Sequence, residues 1–227
     1  MPDRLPLLRV DHVSIAVREM GPALAFFRRV LPIRMREAPR PGYDGQFTWA
    51  DFFVGDRKLE LIESARPESF VEQFIARRGE GFHHLSLDVE EHRLDGHVAL
   101  LEREGLRIVD RGDYGNGDKT AFISPRTTPG ILVQFWQVPG FRGAPPGDVP
   151  TDPVATQAGV RFRVDHLAID VDRLDVLAER LAADGVKLVA GAEIPGGRKT
   201  AFIHPRDAHG VLIQFWQEPA FGGPRRR

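Results

Sequence analysis

The feature that most constrains the fold of this 227-residue chain is an internal repeat. Residues 83–141 and 165–221 align throughout apart from a two-residue gap, from "HHLSLDV" against "DHLAIDV" to "GILVQFWQ" against "GVLIQFWQ". A weaker copy opens the chain with "DHVSIAV" and closes with "LELIE". Self-similarity at this scale indicates one supersecondary unit used three times, and it predicts a fold made by combining those units.

Each copy predicts the same order of elements. An alternating strand opens it (10–17, 82–89 and 163–171), an amphipathic helix follows, and three short strands close it, the last two joined by a turn such as "SPRTTPG". The unit is therefore βαβββ and the fold class α+β. The predicted segments are modules at about 9–64 and 82–138, which with a connecting helix at about 66–80 form one domain over 1–141, a Pro/Gly-rich linker at 142–160, a third module at 161–221 and a basic tail at 222–227.

Composition excludes several functions. The net charge is −1, so no bulk field attracts nucleic acid or a membrane surface. The chain has no cysteine, which leaves histidine, carboxylate, amide or water as ligands for any metal. No apolar run approaches the roughly 20 residues of a membrane span, and the first residues lack the pattern of a signal peptide. We therefore expect a soluble cytoplasmic protein.

Strand alternation separates the two histidines of "GFHHLSLDV". His84 shares a polar face with Ser86, whereas His83 shares the other face with leucines and is expected to cap or fill a strand end. One histidine recurs in register in all three copies, at positions His12, His84 and His166. The recurrent histidine is therefore the better functional candidate.

The closing strands carry a polar residue within an apolar run, at Glu60, Gln134 and Gln214. Such a residue needs a partner when it is buried. From the residues alone two interpretations stay open, a buried hydrogen-bonded pair of histidine with glutamine or glutamate, or a metal site.

The order of these motifs resembles the vicinal oxygen chelate superfamily, which includes glyoxalase I. "LELIESARPESFVEQFIARRGEGFHHLSLDV" and "KTAFISP" are similar to the corresponding segments of methylmalonyl-CoA epimerase-like proteins. The resemblance covers about residues 9–138, and the third module is additional. It implies that two βαβββ modules pair about a pseudo-twofold axis and form a U-shaped half-barrel.

The resemblance also implies a metal site. Carried over by position, the ligands are His12, Glu60, His84 and Gln134. The epimerases place the amide in the first module and the carboxylate in the second, so the two are exchanged here. This nitrogen and oxygen set suits Co²⁺, Ni²⁺, Mn²⁺ or Zn²⁺.

The activity implied is that of a metal-dependent isomerase, an epimerase or related enzyme, that removes a proton α to a carbonyl. Asp51 and Glu60 are the candidate bases. Ser86, Lys119 and Trp136 are the candidate substrate contacts, and an acyl-CoA is the candidate substrate.

Two other functions remain as alternatives. One is an Fe(II) dioxygenase of the same superfamily, of the 4-hydroxyphenylpyruvate or extradiol type, although Gln134 lacks the carboxylate that such enzymes carry. The other is a metal-free ligand-binding protein of the bleomycin-resistance type. The third module, with His166 and Gln214, is expected to be structural or regulatory. We expect a homodimer through this module, with docking on the first domain as the alternative.

Overall fold

The structure, a computed structural model, describes residues 8–31, 33–35, 38–42, 45–54, 57–128, 131–141, 166–194 and 198–217. The predicted linker at 142–160, the basic tail at 222–227 and Asp165 lie outside these residues. Within the described residues no helix is long and apolar enough to cross a membrane.

The elements follow the predicted order, with one short extra strand in the first copy. The first module contains β1 (Leu8–Val17), α1 (Met20–Val30), β2 (Arg34–Met35), β3 (Arg40–Pro41), β4 (Phe47–Val54) and β5 (Arg57–Ser64). The connecting helix is α2 (Phe70–Arg78). The second module contains β6 (Gly81–Val89), α3 (Leu94–Arg103), β7 (Ile108–Asp113), β8 (Lys119–Ile123) and β9 (Leu132–Gln137). The third contains β10 (His166–Val171), α4 (Leu174–Ala183), β11 (Leu188–Ile194), β12 (Arg198–Ile203), a 3₁₀ turn (Pro205–Asp207) and β13 (Leu212–Gln217).

The strands form two sheets. A nine-stranded sheet has the order β2-β4-β5-β1-β6-β9-β8-β7, with β3 paired to β4, and a four-stranded sheet has the order β10-β13-β12-β11. In both repeats the opening strand runs parallel to the closing strand, β6 with β9 and β10 with β13. The predicted α+β class with βαβββ modules is therefore confirmed, and the second sheet is the additional module.

Contacts within the chain divide it into two compact units. One consists of Met1–Ser14 with His83–Val164, and the other of Ile15–Phe82 with Asp165–Arg227. The division passes through β1, so its first residues belong with the second module. The predicted single domain over residues 1–141 remains a prediction.

In the first unit, α3 packs on the apolar face of the sheet that alternation predicts. Val89 of β6 is buried with Leu94 and Val98 of the helix, and Leu87 packs against the same cluster. The polar residues of β6 therefore point to the opposite face, and Ser86 is 0% exposed there. That face is polar and buried, so each of its polar groups is expected to have a hydrogen-bond partner or a ligand.

A glutamine at the end of each repeat's last strand holds the helix of the same repeat. Gln137 Oε1 accepts a hydrogen bond of 3.1 Å from the backbone N–H of Leu94, at the start of α3. Gln217 Oε1 accepts one of 3.0 Å from Leu174, at the start of α4. Both satisfy a backbone donor that an α-helix leaves free in its first turn.

In the second unit, the first module packs helices on both faces of its strands. On one face Phe27 of α1 contacts Phe52 of β4, with ring centroids 5.2 Å apart. On the other face α2 packs Val71 and Ile75 against Ile62 of β5. The connecting helix therefore covers one end of the face on which Glu60 also lies, because Glu60 and Ile62 are two residues apart on one strand.

The third module contacts the first module within this unit. His209 Nδ1 lies 3.2 Å from Glu80 Oε1, and its ring packs edge-on against Phe26 at 5.6 Å. Arg180 Nη2 donates a hydrogen bond of 3.1 Å to the backbone oxygen of Arg29. These contacts correspond to the alternative of docking on the first domain, and dimerisation through the third module stays a prediction.

The approach at this contact requires glycine. Gly210 has φ +77°, and a Cβ there would lie 1.8 Å from the backbone oxygen of Glu80. Any other residue would separate the two segments, since neither backbone can give way as a flexible side chain does.

Candidate metal centre

Strands β1 and β6 bring two of the three recurrent histidines together. His12 Nε2 lies 3.2 Å from His84 Nε2, and the rings meet edge-on with centroids 5.2 Å apart. His12 is 4% exposed and His84 is 9% exposed. The predicted histidine pair is therefore formed with one residue from each module.

The outer nitrogen of each ring is held by the residue that precedes it in sequence. Asp11 Oδ2 lies 2.8 Å from His12 Nδ1, and because a carboxylate only accepts, the proton of that ring lies on Nδ1. His83 Nδ1 lies 2.9 Å from His84 Nδ1. The expectation that His83 only caps or fills a strand end is corrected, since its ring contacts the outer nitrogen of His84 and orients it.

The environment of His84 keeps its ring neutral. Burial lowers the pKa of His84 well below its usual value, and the neighbouring His83 and His12 lower it further. A hydrogen-bonding interaction with the Gln134 side chain raises the pKa by a smaller amount. A neutral imidazole is the form that binds metal.

Gln134 lies on the same face, opposite Ser86 in the register of β6 and β9. The residue is 5% exposed, and its Oε1 atom has no hydrogen-bond partner within the described residues. A buried amide oxygen without a donor costs free energy unless a ligand satisfies it. The Gln134 side chain therefore lies beside His84 on the buried face, where it interacts with the imidazole and is within reach of the same site.

Glu60 supplies a carboxylate to the group. The ligand atoms of His12, Glu60 and His84 all lie within 4.8 Å of one another. In the register of β4 and β5, Asp51 lies directly opposite Glu60, so their side chains share one face. Asp51 is 3% exposed, and Lys58 Nζ lies 4.0 Å from its Oδ2.

The donor set fits a divalent ion. His12 Nδ1 is held by Asp11, and His12 Nε2 faces His84 Nε2 at 3.2 Å. Two nitrogens bound at about 2.0–2.1 Å to one ion are about 2.8–3.4 Å apart at octahedral to tetrahedral angles. Imidazole nitrogen with carboxylate and amide oxygen suits Zn²⁺, Co²⁺, Ni²⁺ or Mn²⁺. The geometry therefore matches the predicted type of ligand set and does not choose the metal.

The structure places two of the three predicted substrate contacts on the face of the site. Ser86 lies two residues beyond His84, and Trp136 lies two residues beyond Gln134. Trp136 stacks on Tyr114, with ring centroids 6.0 Å apart and planes 12° from parallel. The stacked aromatic rings thus lie next to the candidate ligand Gln134 on the same face of β9.

Lys119 is not brought to the site. It lies opposite Gln137 in the register of β8 and β9, which puts it on the helix-covered face, away from Trp136. Its Nζ lies 2.7 Å from Asp95 Oδ2 of α3 and 3.8 Å from Asp113 Oδ2. The predicted role of Lys119 in substrate binding stays a prediction, and in this structure its ammonium group binds these carboxylates.

Sequence reasoning missed Ser14 and the role of Asp11. Ser14 is 0% exposed and its Oγ has no hydrogen-bond partner within the described residues. The available signal was the repeat, because Ser14 and Ser86 occupy equivalent positions, as do Asp11 and His83. In the third module the equivalent of the recurrent histidine, His166, is exposed.

Comparison with known proteins gives the family of this chain. The sequence profile of the Glyoxalase/Bleomycin resistance protein/Dioxygenase superfamily matches residues 11–122. The uncharacterized protein YqjC of Bacillus subtilis is 33% identical over 134 residues, which are 58% of this chain and 94% of that protein. The chain belongs to this superfamily.

The relatives whose activity is named have lower sequence identity to this chain. The mitochondrial methylmalonyl-CoA epimerase of Homo sapiens is 26% identical over 133 residues, 57% of this chain and 73% of that protein. A variant of the methylmalonyl-CoA epimerase of Streptomyces coelicolor, solved with 2-nitronate-propionyl-CoA, superposes with a TM-score of 0.54 at 21% identity. That match covers 61% of this chain and 99% of the other, and it shows the shared fold.

Proposed function

We propose that this protein is a divalent-metal-dependent isomerase that removes and returns a proton α to a carbonyl, with an acyl-CoA as substrate. The observation that carries the proposal is the pair of Nε2 atoms 3.2 Å apart, each ring held from behind by its preceding residue. The names of the relatives, methylmalonyl-CoA epimerases at 26% identity, supply the substrate class.

His12, His84, Glu60 and Gln134 are the proposed ligands. Asp11 and His83 orient the two imidazoles, and the neutral state of His84 keeps its nitrogen available. A divalent ion held by this set supplies the positive charge that makes the proton beside a substrate carbonyl acidic.

A carboxylate of the chain removes the proton. Asp51 accepts the proton from the α-carbon, and the electron pair of that C–H bond moves onto the carbonyl oxygen to give an enolate. Return of a proton to the opposite face restores the carbonyl and inverts the centre. The solvent supplies the proton that returns, and Glu60, which lies opposite Asp51 on the neighbouring strand, serves as the carboxylate ligand.

The choice of Asp51 rests on its burial and its register. At 3% exposure it is protected from water, which would otherwise compete for the substrate proton. Lys58 Nζ, 4.0 Å from Asp51 Oδ2, is a cation on the same pair of strands.

The test combines metal analysis with solvent exchange. We expect the purified protein to contain about one divalent ion per chain, the number for a single site, and to catalyse incorporation of deuterium from D₂O into methylmalonyl-CoA, measured by mass spectrometry. Asp51→Asn is expected to keep the metal and to lower the exchange rate by about 10²- to 10⁴-fold, the usual contribution of a general base. Bound metal without exchange of the substrate proton would contradict the proposed reaction, and a protein that binds no metal would contradict the centre itself.

A further inference from the structure

Two serines occupy equivalent positions in the first and second modules, as the two histidines do. Ser14 lies two residues after His12, and Ser86 lies two residues after His84. Alternation along a strand therefore puts each hydroxyl on the same face as its histidine. Both serines are 0% exposed, and neither Oγ has a hydrogen-bond partner within the described residues.

An unpartnered buried hydroxyl weakens a fold. Each one costs about tenfold in the folding equilibrium relative to a residue that has no polar group. Alanine occupies the equivalent position of the third module, Ala168, and β10 still pairs with β13 there in the same register as β6 with β9. The hydroxyl is therefore not needed to build the module.

The serines differ from Ala168 in what lies beside them. Ser14 and Ser86 follow the two buried histidines that meet at 3.2 Å, whereas Ala168 follows the exposed His166. Ser86 also lies opposite Gln134, whose Oε1 is a third buried atom without a partner. Within the described residues, these three polar atoms thus lie on β1, β6 and β9, the strands that carry His12, His84 and Gln134.

We propose that Ser14 and Ser86 are twin substrate-binding residues, one from each module, whose hydroxyls each donate a hydrogen bond to a substrate oxygen beside the reacting carbon. The inference rests on the proposed function and adds the contact that orients the substrate. A hydroxyl carries one donor, and a carboxylate or enolate oxygen is the acceptor that gains most from it. The ligand class is therefore an acid or thioester that carries an oxyanion and has one oxygen to accept a hydrogen bond from Ser14 and another to accept one from Ser86.

The test measures stability and function together in the full-length protein. Ser14→Ala and Ser86→Ala are each expected to raise the thermal midpoint of the ligand-free protein, because each removes an unsatisfied hydroxyl. Each is expected to lower the rate of deuterium exchange into methylmalonyl-CoA by about 100-fold, as for loss of one donor to a developing oxyanion. A merely structural role would move the two readouts in the same direction.

The matched control is Ala168→Ser. This change adds a hydroxyl at the equivalent position of the third module, and we expect it to leave the exchange rate unchanged. A similar loss of exchange in this control would show that the effect of the serine variants is not local to the centre.

Binding of oxalate separates this proposal from the proposed reaction. We expect oxalate to bind the metal-loaded protein about tenfold more weakly in each serine variant, the usual order for one charge-assisted hydrogen bond. If methylmalonyl-CoA does not exchange but oxalate binding weakens as expected, the reaction is wrong and the serine contacts stand. Unchanged exchange and oxalate affinity in both variants would overturn the proposal and assign the hydroxyls to water, and so would a wild-type protein that does not bind oxalate.

Discussion

The second and third modules have nearly the same residues on their inner faces, but the environments of these residues differ. His84, Phe122, Gln134 and Trp136 of the second correspond to His166, Phe202, Gln214 and Trp216 of the third. Strand pairing is the same in both, with Ser86 opposite Gln134 and Ala168 opposite Gln214. Yet His84 is nearly buried against His12, and His166 is exposed.

The two glutamines show the consequence. Gln214 Nε2 donates a hydrogen bond of 3.1 Å to Thr200 Oγ1, which itself donates one of 2.9 Å to the backbone oxygen of Phe215. Gln134 Oε1 has no such partner within the described part of the chain. The strand pattern therefore puts both glutamines on the inner face of their module. The residues around each glutamine determine whether its side chain is held by hydrogen bonds within the module, as in Gln214, or has an oxygen left for a ligand, as in Gln134.

The largest effect that tests this comparison is expected from removing one histidine of each module. His84→Ala should weaken metal binding by more than about 100-fold, since even the partners that orient a ligand contribute 10- to 100-fold. His166→Ala should leave the affinity unchanged. Competition with a chelator measures both, and equal losses in the two variants would contradict the assignment of the centre to the first two modules.

A smaller effect is expected when each glutamine becomes a carboxylate. Gln134→Glu should tighten metal binding by about tenfold, because affinity rises with the number of charged ligands. Gln214→Glu should not change metal affinity, and it should lower the thermal midpoint because it loses the hydrogen bond to Thr200. Weaker binding by Gln134→Glu would show that this side chain does not face the ion.

A third difference lies in the helices. His97 of α3 stands where α4 has Leu177. It is 7% exposed, both ring nitrogens lack hydrogen-bond partners in the described residues, and the ring packs edge-on against Phe135 at 4.8 Å. Burial lowers the pKa of His97 from its usual value.

His97→Leu should therefore stabilise the protein by about 1 kcal/mol at neutral pH, by removing unsatisfied polar atoms. The gain should increase as the pH falls below about 6.5, because the unfolded imidazole takes up a proton that the folded one resists. Above about pH 7 this group adds no pH dependence. Urea unfolding at pH 5 and pH 8 measures the difference, and a constant gain at both values would contradict the role assigned to burial.

Alternation and the repeat predict much of this arrangement from the sequence. They place His12, His84 and Gln134 on one face, and the register of Asp51 with Glu60 supports keeping Asp51 as the candidate base. Lys119 was chosen from a motif and not from strand alternation, and the register of β8 with β9 puts it on the helix side.

Other features depend on distances that a sequence does not contain. That His12 and His84 meet at 3.2 Å follows from how β1 and β6 pair across 72 positions of the chain. The contact of His83 with His84 depends on side-chain rotamers. The unpartnered hydroxyls of Ser14 and Ser86 become visible only when every neighbouring donor and acceptor is known.

The glutamine that ties each helix to its own sheet has a consequence for how such a chain can grow. Gln137 and Gln217 each accept a hydrogen bond from the first turn of the helix in the same repeat. A duplicated gene segment therefore encodes both partners of the bond that joins its helix to its sheet. A new copy can therefore fold without inventing a new interface between helix and sheet. Its inner face is then free to diverge, as the change from serine to Ala168 illustrates.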